Sequence, residues 1–248
     1  MRAMILAAGL GTRLRPLTDD RPKALVEVNG KTLLEITLRR LSGFGIKDVI
    51  VNVHHFADLV IEFLQRHQSF GMRVEVSRED LLLDTGGGLK KASWFFLENG
   101  DKEQPFLLHN VDVISTIDFA SMLQSHEESG ALATIAVKDR PTSRYLLFDE
   151  KCQLCGRRSA GTPSDERVRP SNETHAYAFC GIHIISPRLL PMLTEEGVFS
   201  IIGSYLRLAG QGHPIRGFRA DGYYWRDLGT RASVKAAEED LVRHTVPL

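Results

Sequence analysis

The feature of this sequence that most constrains its fold is the alternation of short apolar runs with helix-period segments across its first half. Four runs are rich in aliphatic residues and typical of buried strands: residues 4–8, 47–53, 73–77 and 105–108. Three segments between them are predicted to be helical, the last beginning with glycines: residues 32–44, 56–67 and 86–97. Strands that alternate with helices predict a parallel sheet covered on both faces, with ligands at the carboxyl ends of the strands.

The second half of the sequence is richer in strand patterns. Three segments predict strands: residues 132–138, 145–149 and 177–185. Two segments predict helices: residues 201–209 and 231–243. The polar segment 156–174, with its Arg, Ser, Pro and Gly, predicts a mobile loop that closes over a ligand. Residues 215–220 and 223–225 flank Asp221-Gly222, a turn signal that predicts a β-hairpin.

Composition narrows the classes of function. Apolar residues make up 43% and charged residues 25% of the 248-residue chain, as in an ordinary globular domain. The 31 basic and 31 acidic residues balance, which argues against binding nucleic acid through a broad basic surface. Three cysteines argue against a disulfide framework. Because no apolar stretch suits a signal peptide or a membrane span, we expect a cytoplasmic protein that binds neither nucleic acid nor membrane.

The strongest chemical signal is the loop that follows the first apolar run. Residues 6–16, LAAGLGTRLRP, carry two glycines that let backbone N–H groups approach an anion, and Arg13 offers donors to phosphate oxygens. A Rossmann dinucleotide loop is disfavoured because Leu14 replaces its third glycine and Pro16 interrupts the helix that would follow. The pattern GxxxxGK[ST] is absent. Lys23, held by a preceding proline, follows closely enough to place an ammonium against transferring phosphates.

In this chain LAAGLGTRLRPLT is followed by RPKALVEVNGK. The two segments resemble the N-terminal signature of the sugar-1-phosphate nucleotidyltransferases, which are also called nucleotide-sugar pyrophosphorylases. Four more segments match that family in order: DTGGG at 84–88, FLLHNVD at 106–112, FCGI at 179–182 and YWRDLGT at 224–230. The matches are spread over nearly the whole chain. They resemble, respectively, the family's nucleobase segment, the strand ending in its metal-binding aspartate, its sugar-side strand and its WxDxGT motif.

The resemblance implies an α/β fold. We expect a Rossmann-like mixed, mainly parallel sheet flanked by helices, of the nucleotide-diphospho-sugar transferase type, with a strand-rich sugar-binding part. A single nucleotidyltransferase domain is expected over residues 1–248. Residues 1–130 form its nucleotide-binding half, and residues 131–248 form its sugar-binding and closing half.

The resemblance also implies which residues contact the substrates. Nucleotide contacts are implied for Leu6, Ala7, Ala8, Gly9, Gly11, Thr12, Arg13, Lys23, Gly87 and Gly88. Sugar contacts are implied for Asn110 and Gly181. Many family members also carry a Glu-Lys-Pro segment before the sugar-side strand. Residues 156–174 contain none, which leaves Glu166 and Glu173 as open alternatives.

A Mg²⁺-dependent transfer reaction follows from the same resemblance. Asp112 and Asp227 are implied to bind Mg²⁺, although Val111 stands where the family usually has glycine. Arg13, Lys23 and Asp112 are implied as catalytic residues. An oxygen of a sugar 1-phosphate attacks the α-phosphorus of a nucleoside triphosphate, and pyrophosphate leaves. The attacking group is already an anion, so position and electrostatics carry the reaction without a general base.

Two other functions remain open at this point. A phosphocholine-type cytidylyltransferase shares the first motifs but needs an aromatic or acidic pocket for a quaternary ammonium. A catalytically inactive regulatory protein that binds nucleotide-sugars is the third interpretation. The nucleobase stays open among UTP, GTP and CTP, and the sugar is open as well. The chain resembles the compact branch that makes UDP-linked N-acetylmuramic acid or GDP-linked mannose and heptose, and either a monomer or a homodimer is expected.

Overall fold

The computed structural model describes residues 1–98, 103–162 and 164–243, so the predicted domain limits 1–248 and the predicted loop 156–174 extend over a few residues outside this description. Its strands are β1 (Ala3–Leu6), β2 (Glu27–Val28), β3 (Lys31–Thr32), β4 (Asp48–Val53), β5 (Arg73–Arg78), β6 (Phe106–Asn110), β7 (Val113–Ser115), β8 (Ala133–Lys138), β9 (Arg144–Phe148), β10 (Leu154–Ser159), β11 (Glu166–Arg167), β12 (His175–Ile185), β13 (Ile215–Arg219) and β14 (Trp225–Asp227). Its α-helices are α1 (Leu33–Gly43), α2 (Ala57–Arg66), α3 (Asp84–Lys91), α4 (Trp94–Leu97), α5 (Phe119–Ser129), α6 (Ile201–Gly210) and α7 (Arg231–Arg243).

The first half of the chain forms the parallel part of a large sheet. Its strands lie in the order β5, β4, β1, β6, and each neighbouring pair is parallel. Ala3 in β1 pairs with Val49 in β4 on one side and with Leu107 in β6 on the other. The carboxyl ends of these strands therefore meet at one edge, where the glycine-bearing loop leaves β1. The predicted parallel arrangement of these strands is confirmed.

The second half extends the same sheet mainly with antiparallel strands. The long strand β12 pairs antiparallel with β6, β8 and β9. Strands β10 and β11 continue the sheet beyond β9, and β13 joins β8 in parallel. The pairing of β12 with β8 shifts register between Phe179 and His183, where Gly181 has a positive φ of 75°. The predicted mixed sheet is confirmed.

Helices cover both faces of the sheet, as the sequence pattern predicts. Side chains of β1 alternate between two hydrophobic clusters: Ala3 and Ile5 belong to one, and Met4 to the other. The first cluster is completed by apolar residues of α1, α2, α5 and α7. The second is completed by residues of α3, α4 and α6. Burial on both faces explains why the parallel strands read as continuous apolar runs.

Local signals fix the helices that were predicted in the first half. The Thr32 hydroxyl accepts a hydrogen bond from the Glu35 amide at 3.1 Å and caps α1, whose apolar face is buried. Helices α1 and α2 end within a residue or two of the predicted 32–44 and 56–67 segments. The predicted helix 86–97 is wrong in its bounds, because α3 begins at Asp84, before the glycines, and a second helix, α4, begins at Trp94.

The predicted hairpin at 215–225 is wrong. β13 pairs in parallel with β8, and β14 pairs antiparallel with β7, so the two segments do not pair with each other. The Lys138 ammonium explains the intervening turn, because it donates to the carbonyls of Ala220, Asp221 and Tyr223 at 2.8, 3.0 and 2.6 Å. The local residues alone predict a hairpin, but a lysine distant in the sequence holds this turn in another conformation.

The predicted loop at 156–174 is also wrong in part. Part of it is strand, since β10 covers residues 156–159 and β11 covers residues 166–167, and Gly156 and Arg157 pair with Arg167 and Glu166. Ion pairs between Arg157 and Glu166 at 2.6 Å and between Arg158 and Asp165 at 2.7 Å link its two sides. The polar composition therefore belongs to an exposed sheet edge.

The cysteines and the lengths of the helices complete the description of the fold. The three cysteines are free, in agreement with the absence of a disulfide framework. Among the described residues, no helix is long and apolar enough to cross a membrane.

Candidate active site

The glycine-bearing loop is closed against the stem of Lys23. Gly11 has a positive φ of 63°, and a Cβ there would lie 3.0 Å from Thr18 Cγ2 and 3.2 Å from Lys23 Cβ. The Thr18 hydroxyl donates to the Gly11 carbonyl at 2.9 Å. Residues Thr12–Leu14 then form a short 3₁₀ helix, which leaves the Arg13 side chain exposed. Only glycine suits position 11, both for its backbone conformation and for the space it leaves.

A buried polar relay fixes the start of this loop. The Ala7 amide donates to Asn52 Oδ1 at 2.7 Å, and Asn52 Nδ2 donates to Glu79 Oε1 at 2.7 Å. The second Glu79 oxygen accepts from the Leu83 amide at 3.0 Å. Asn52 and Glu79 are each only 2% exposed. Sequence reasoning missed both residues, although a polar side chain within the apolar strand Asp48–Val53 is the signal that would have found Asn52.

The glycines of α3 face protein groups on three sides. A Cβ at Gly87 would lie 2.5 Å from the Gly197 carbonyl oxygen, and one at Gly88 would lie 2.7 Å from Glu79 Oε1. Close packing therefore accounts for both glycines in this structure. Asp84 and Thr85, at the start of α3, line a cavity that also borders Ala8, Gly9 and Lys23. Nucleobase contact by Gly87 and Gly88 stays a prediction.

Lys23 and Asp112 form an ion pair between two separate loops. Lys23 begins the 3₁₀ helix Lys23–Leu25, directly after buried Pro22. Asp112 follows β6, and its Oδ2 accepts a hydrogen bond from Lys23 Nζ. Each of the two side chains is 13% exposed. The lysine predicted from the sequence therefore forms an ion pair with the predicted metal-binding aspartate.

Asp227 is brought to the same place by the pairing of β14 with β7. Asp227 pairs with Val113, and the Leu228 amide donates to the Asp112 carbonyl at 2.7 Å. Burial and the neighbouring Asp112 carboxylate raise the pKa of Asp227, while the Gly229 amide donates to its Oδ1 at 2.9 Å and opposes that shift. Two carboxylates more than a hundred positions apart therefore act on each other electrostatically.

The Arg13 guanidinium lies on the Asp227 side of this cluster. A Cβ at Gly229 would lie 2.7 Å from both Arg13 Nη2 and Asp227 Oδ1. Gly229 therefore leaves room for the arginine beside the carboxylate. Arg13, Lys23, Asp112 and Asp227 together form a cluster of two cations and two anions.

Two cavities meet at this cluster. The first has a volume of about 360 Å³ and is lined by Leu6, Ala8, Gly9, Lys23, Asn110 and Asp112 among the predicted site residues. The second has a volume of about 560 Å³ and is lined by Arg13, Asn110, Gly181 and Asp227 among them. Asn110 belongs to both walls. The linings of these cavities do not include Ala7, Gly11, Thr12, Gly87 or Gly88.

The predicted mobile loop adjoins the second cavity without lining it, because Ser159 pairs with Arg144 and the Ala160 amide donates to the Ser143 carbonyl at 2.7 Å. The described residues of segment 156–174 are absent from both linings, so closure of this segment over a ligand stays a prediction. His109, three residues before Asp112, is buried; burial and the nearby Arg40 lower its pKa to about 4. Within the described ranges there is no group of three or more His, Cys, Asp or Glu side chains that would hold a metal. The Asp112–Asp227 pair is the remaining candidate for that role.

The chain is similar to known proteins over almost its whole length. A family described as nucleotidyl transferase matches residues 2–244. An N-acetylmuramate alpha-1-phosphate uridylyltransferase from Caulobacter vibrioides is 34% identical, with 96% of each chain covered. A mannose-1-phosphate guanyltransferase from Yarrowia lipolytica is 30% identical over 92% of this chain, which spans only 61% of that relative.

Solved structures show the same fold. HddC from Yersinia pseudotuberculosis, complexed with GMP-PN, aligns with a TM-score of 0.76 at 21% identity, covering 97% of this chain and 99% of that one. A putative glucose-1-phosphate thymidylyltransferase from Bacillus anthracis aligns with a TM-score of 0.79 at 16% identity, covering 96% of this chain and 94% of that one. The predicted nucleotide-diphospho-sugar transferase fold is confirmed.

Proposed function

The chain belongs to the nucleotidyl transferase family, and we propose that it transfers a nucleotidyl group from a nucleoside triphosphate to a sugar 1-phosphate, releasing pyrophosphate. Relatives that cover the chain almost completely are named for this type of reaction. The observation that carries the proposal is the cluster of Arg13, Lys23, Asp112 and Asp227 where two cavities meet. One cavity accommodates the nucleotide and the other the sugar.

The reaction needs two polyanions to approach each other. An oxygen of the sugar 1-phosphate forms a bond to the α-phosphorus, and the bond from that phosphorus to the oxygen bridging to the β-phosphate breaks. Lys23 lies at the first cavity wall, where its ammonium offsets the charge of both reacting phosphates. Arg13 binds the β- and γ-phosphates, which depart together as pyrophosphate. The attacking oxygen is ionised, so no proton has to be removed.

Enzymes of this family generally use divalent metal ions, and we propose Mg²⁺ for this chain. Asp112 and Asp227 would hold it, because carboxylate oxygens are the ligands that this hard cation prefers. The pKa of Asp227 is raised first by burial and then by the neighbouring Asp112 carboxylate, and a cation held between the two carboxylates would offset their repulsion. When bound, Mg²⁺ supplies neutralising charge to phosphate oxygens.

A phosphocholine-type substrate finds no support in the second cavity. A quaternary ammonium is bound by aromatic faces or acids. Five of the residues that line this cavity are instead cations, and the Trp225 ring is covered by the Arg140 guanidinium at 4.1 Å. An inactive binding protein is likewise disfavoured, because Arg13, Lys23 and both aspartates are present together.

Pyrophosphate release tests the proposal directly. UTP, GTP, CTP, dTTP and ATP are each combined with glucose, mannose, N-acetylglucosamine and N-acetylmuramic acid 1-phosphates in the presence of Mg²⁺. We expect pyrophosphate and a nucleotide-sugar in equal amounts for at least one pair. Binding of a triphosphate without pyrophosphate release for any sugar phosphate would contradict the proposal and favour a binding protein.

A further inference from the structure

The second cavity carries more positive charge than the reacting phosphates require. Its lining includes five cations and a single acid, Asp227: the cations are Arg13, Lys138, Arg140, Arg144 and Arg226. Lys138 uses its three donors on backbone carbonyls, and Arg226 pairs with Asp240 at 2.6 Å. Arg13 lies beside Asp227 at the reaction centre. Arg140 and Arg144 remain without such a partner among the described residues.

Arg140 is held in place without a counter-ion. Its guanidinium stacks on the Trp225 ring, and its two Nη groups donate to the carbonyls of Phe179 at 2.9 Å and Pro141 at 3.3 Å. Trp225 is itself fixed, because its indole N–H donates to the Cys180 carbonyl at 2.7 Å. No described acid forms an ion pair with Arg140. A planar guanidinium that is fixed in this way and faces a cavity is preorganised for a carboxylate or phosphate.

The spacing of residues on β14 relates Arg140, which stacks on Trp225, to the reaction centre at Asp227. Trp225 and Asp227 are two residues apart on β14, so their side chains share one face and are separated by roughly 6.6 Å along the strand. The anomeric phosphate of the sugar belongs at Asp227 and Lys23. Arg140 is stacked on Trp225. A substrate group that binds Arg140 therefore lies about one sugar ring away from the anomeric phosphate.

We propose that the sugar 1-phosphate carries a second oxyanion, a carboxylate or a phosphate ester, and that Arg140, assisted by Arg144, binds it. The proposal rests on the proposed function and specifies the class of sugar. Arg144, at the first position of β9, is exposed and lines the same cavity, so it adds a second cation near the mouth. Neutral sugars would leave the Arg140 charge without compensation in a partly buried site.

Matched pairs of sugar phosphates test this inference. Glucuronic acid 1-phosphate and glucose 1-phosphate differ by one carboxylate at the ring. N-acetylmuramic acid 1-phosphate and N-acetylglucosamine 1-phosphate differ by a carboxylate on a side chain. Glucose 1,6-bisphosphate and glucose 1-phosphate differ by a phosphate ester, so the three pairs separate the two sources of negative charge.

We expect the wild-type protein to prefer the charged member of one pair by about tenfold or more in kcat/KM, as for a charge-assisted hydrogen bond. Arg140→Gln lowers kcat/KM for the charged member by at least about fivefold more than for the neutral member, so the preference is largely lost. Arg140→Lys restores part of it, since the charge returns without the planar fork. Arg158→Gln is the control, because Arg158 pairs with Asp165 outside the cavity. Thermal unfolding confirms that each variant is folded.

Two results would overturn the inference. One is preference for the neutral member of every pair in the wild-type protein. The other is an equal loss for both members in Arg140→Gln, which would indicate a structural role. If no sugar phosphate is turned over, the proposed function fails, and the shift in Tm produced by each member of a pair then decides whether Arg140 binds the second oxyanion.

Discussion

Lys23 and Asp112, 89 residues apart in the chain, form an ion pair on the wall of the first cavity. Each side chain is only 13% exposed, so the pair is more than a surface contact. The lysine comes from a loop after β1 and the aspartate from a loop after β6, two strands that are neighbours in the sheet. Parallel pairing of these strands therefore brings the charged groups together at one edge.

Replacement of Lys23 tests whether its ammonium stabilises the negative charge of the reacting phosphates in the transition state. Lys23→Met is expected to lower kcat by about 10²-fold with little change in KM, as for loss of one preorganised donor in the transition state. Steady-state kinetics with saturating Mg²⁺ measures both constants. Arg21→Gln is the matched control, because Arg21 is an exposed neighbour that pairs with Asp20. A variant whose only change is a higher KM would show that Lys23 binds substrate and transition state equally.

The two aspartates are expected to respond differently to neutralisation. Asp227→Asn removes a carboxylate whose pKa is raised by burial and by Asp112, so stability without ligand is unchanged or slightly higher. Asp112→Asn replaces the ion pair with Lys23 and lowers the free energy of unfolding by about 1.5 to 3 kcal/mol, as for loss of a hydrogen bond between charged groups. Both variants lose turnover. Urea unfolding in EDTA measures the difference, and a larger loss in Asp227→Asn than in Asp112→Asn would contradict this electrostatic description.

The Asn52–Glu79 relay is expected to position the nucleotide loop. Asn52→Ala leaves the Ala7 amide and a Glu79 oxygen buried without partners, which lowers the free energy of unfolding by about 2 kcal/mol. Because the relay also holds Leu83, before α3, KM for the triphosphate rises as well. Glu79→Gln has the same direction of effect, whereas Glu75→Gln, on the exposed part of β5, leaves KM unchanged. Equal KM values for all three variants would show that the relay does not shape the nucleotide site.

Much of the site followed from the sequence because its motifs lie directly after strands. Lys23 was predicted from its place after the glycine-bearing loop, and Asp112 and Asp227 from the resemblance to the family; the sheet edge brings the three together. The relay was missed because Asn52 and Glu79 come within hydrogen-bond distance only when β4 and β5 pair. The turn at Asp221 was misread since Lys138 organises it from a distant strand. Local patterns predict strands and helices, but tertiary partners decide which strands pair.

Three buried histidines predict a stability that falls with acid. Burial is the main reason that the pKa values of His109 and His126 are lowered to about 4 and that of His183 to about 3. Arg40, Arg188 and His109, respectively, lower them further. The unfolded chain binds protons on these rings below about pH 6.5 whereas the folded chain does not, so the free energy of unfolding decreases as pH falls toward 4.

The expected loss between pH 7 and pH 5 is about 1 to 2 kcal/mol for each of the three rings. Urea unfolding at pH 7, 6 and 5 measures it. His183→Gln reduces the slope, while His175→Asn, at an exposed position, does not. A free energy of unfolding that stays constant over this range would show that the three rings are protonated equally in both states.

The position of label from the triphosphate tests the central claim most directly. The protein is supplied with Mg²⁺, its sugar 1-phosphate and a triphosphate labelled with ³²P at either the α or the γ position. Attack at the α-phosphorus predicts that α label appears in the nucleotide-sugar and γ label in pyrophosphate, with both signals about 10²-fold lower in Lys23→Met at equal times. Transfer of γ label to the sugar, or release of γ label as inorganic phosphate without a nucleotide-sugar, would contradict nucleotidyl transfer.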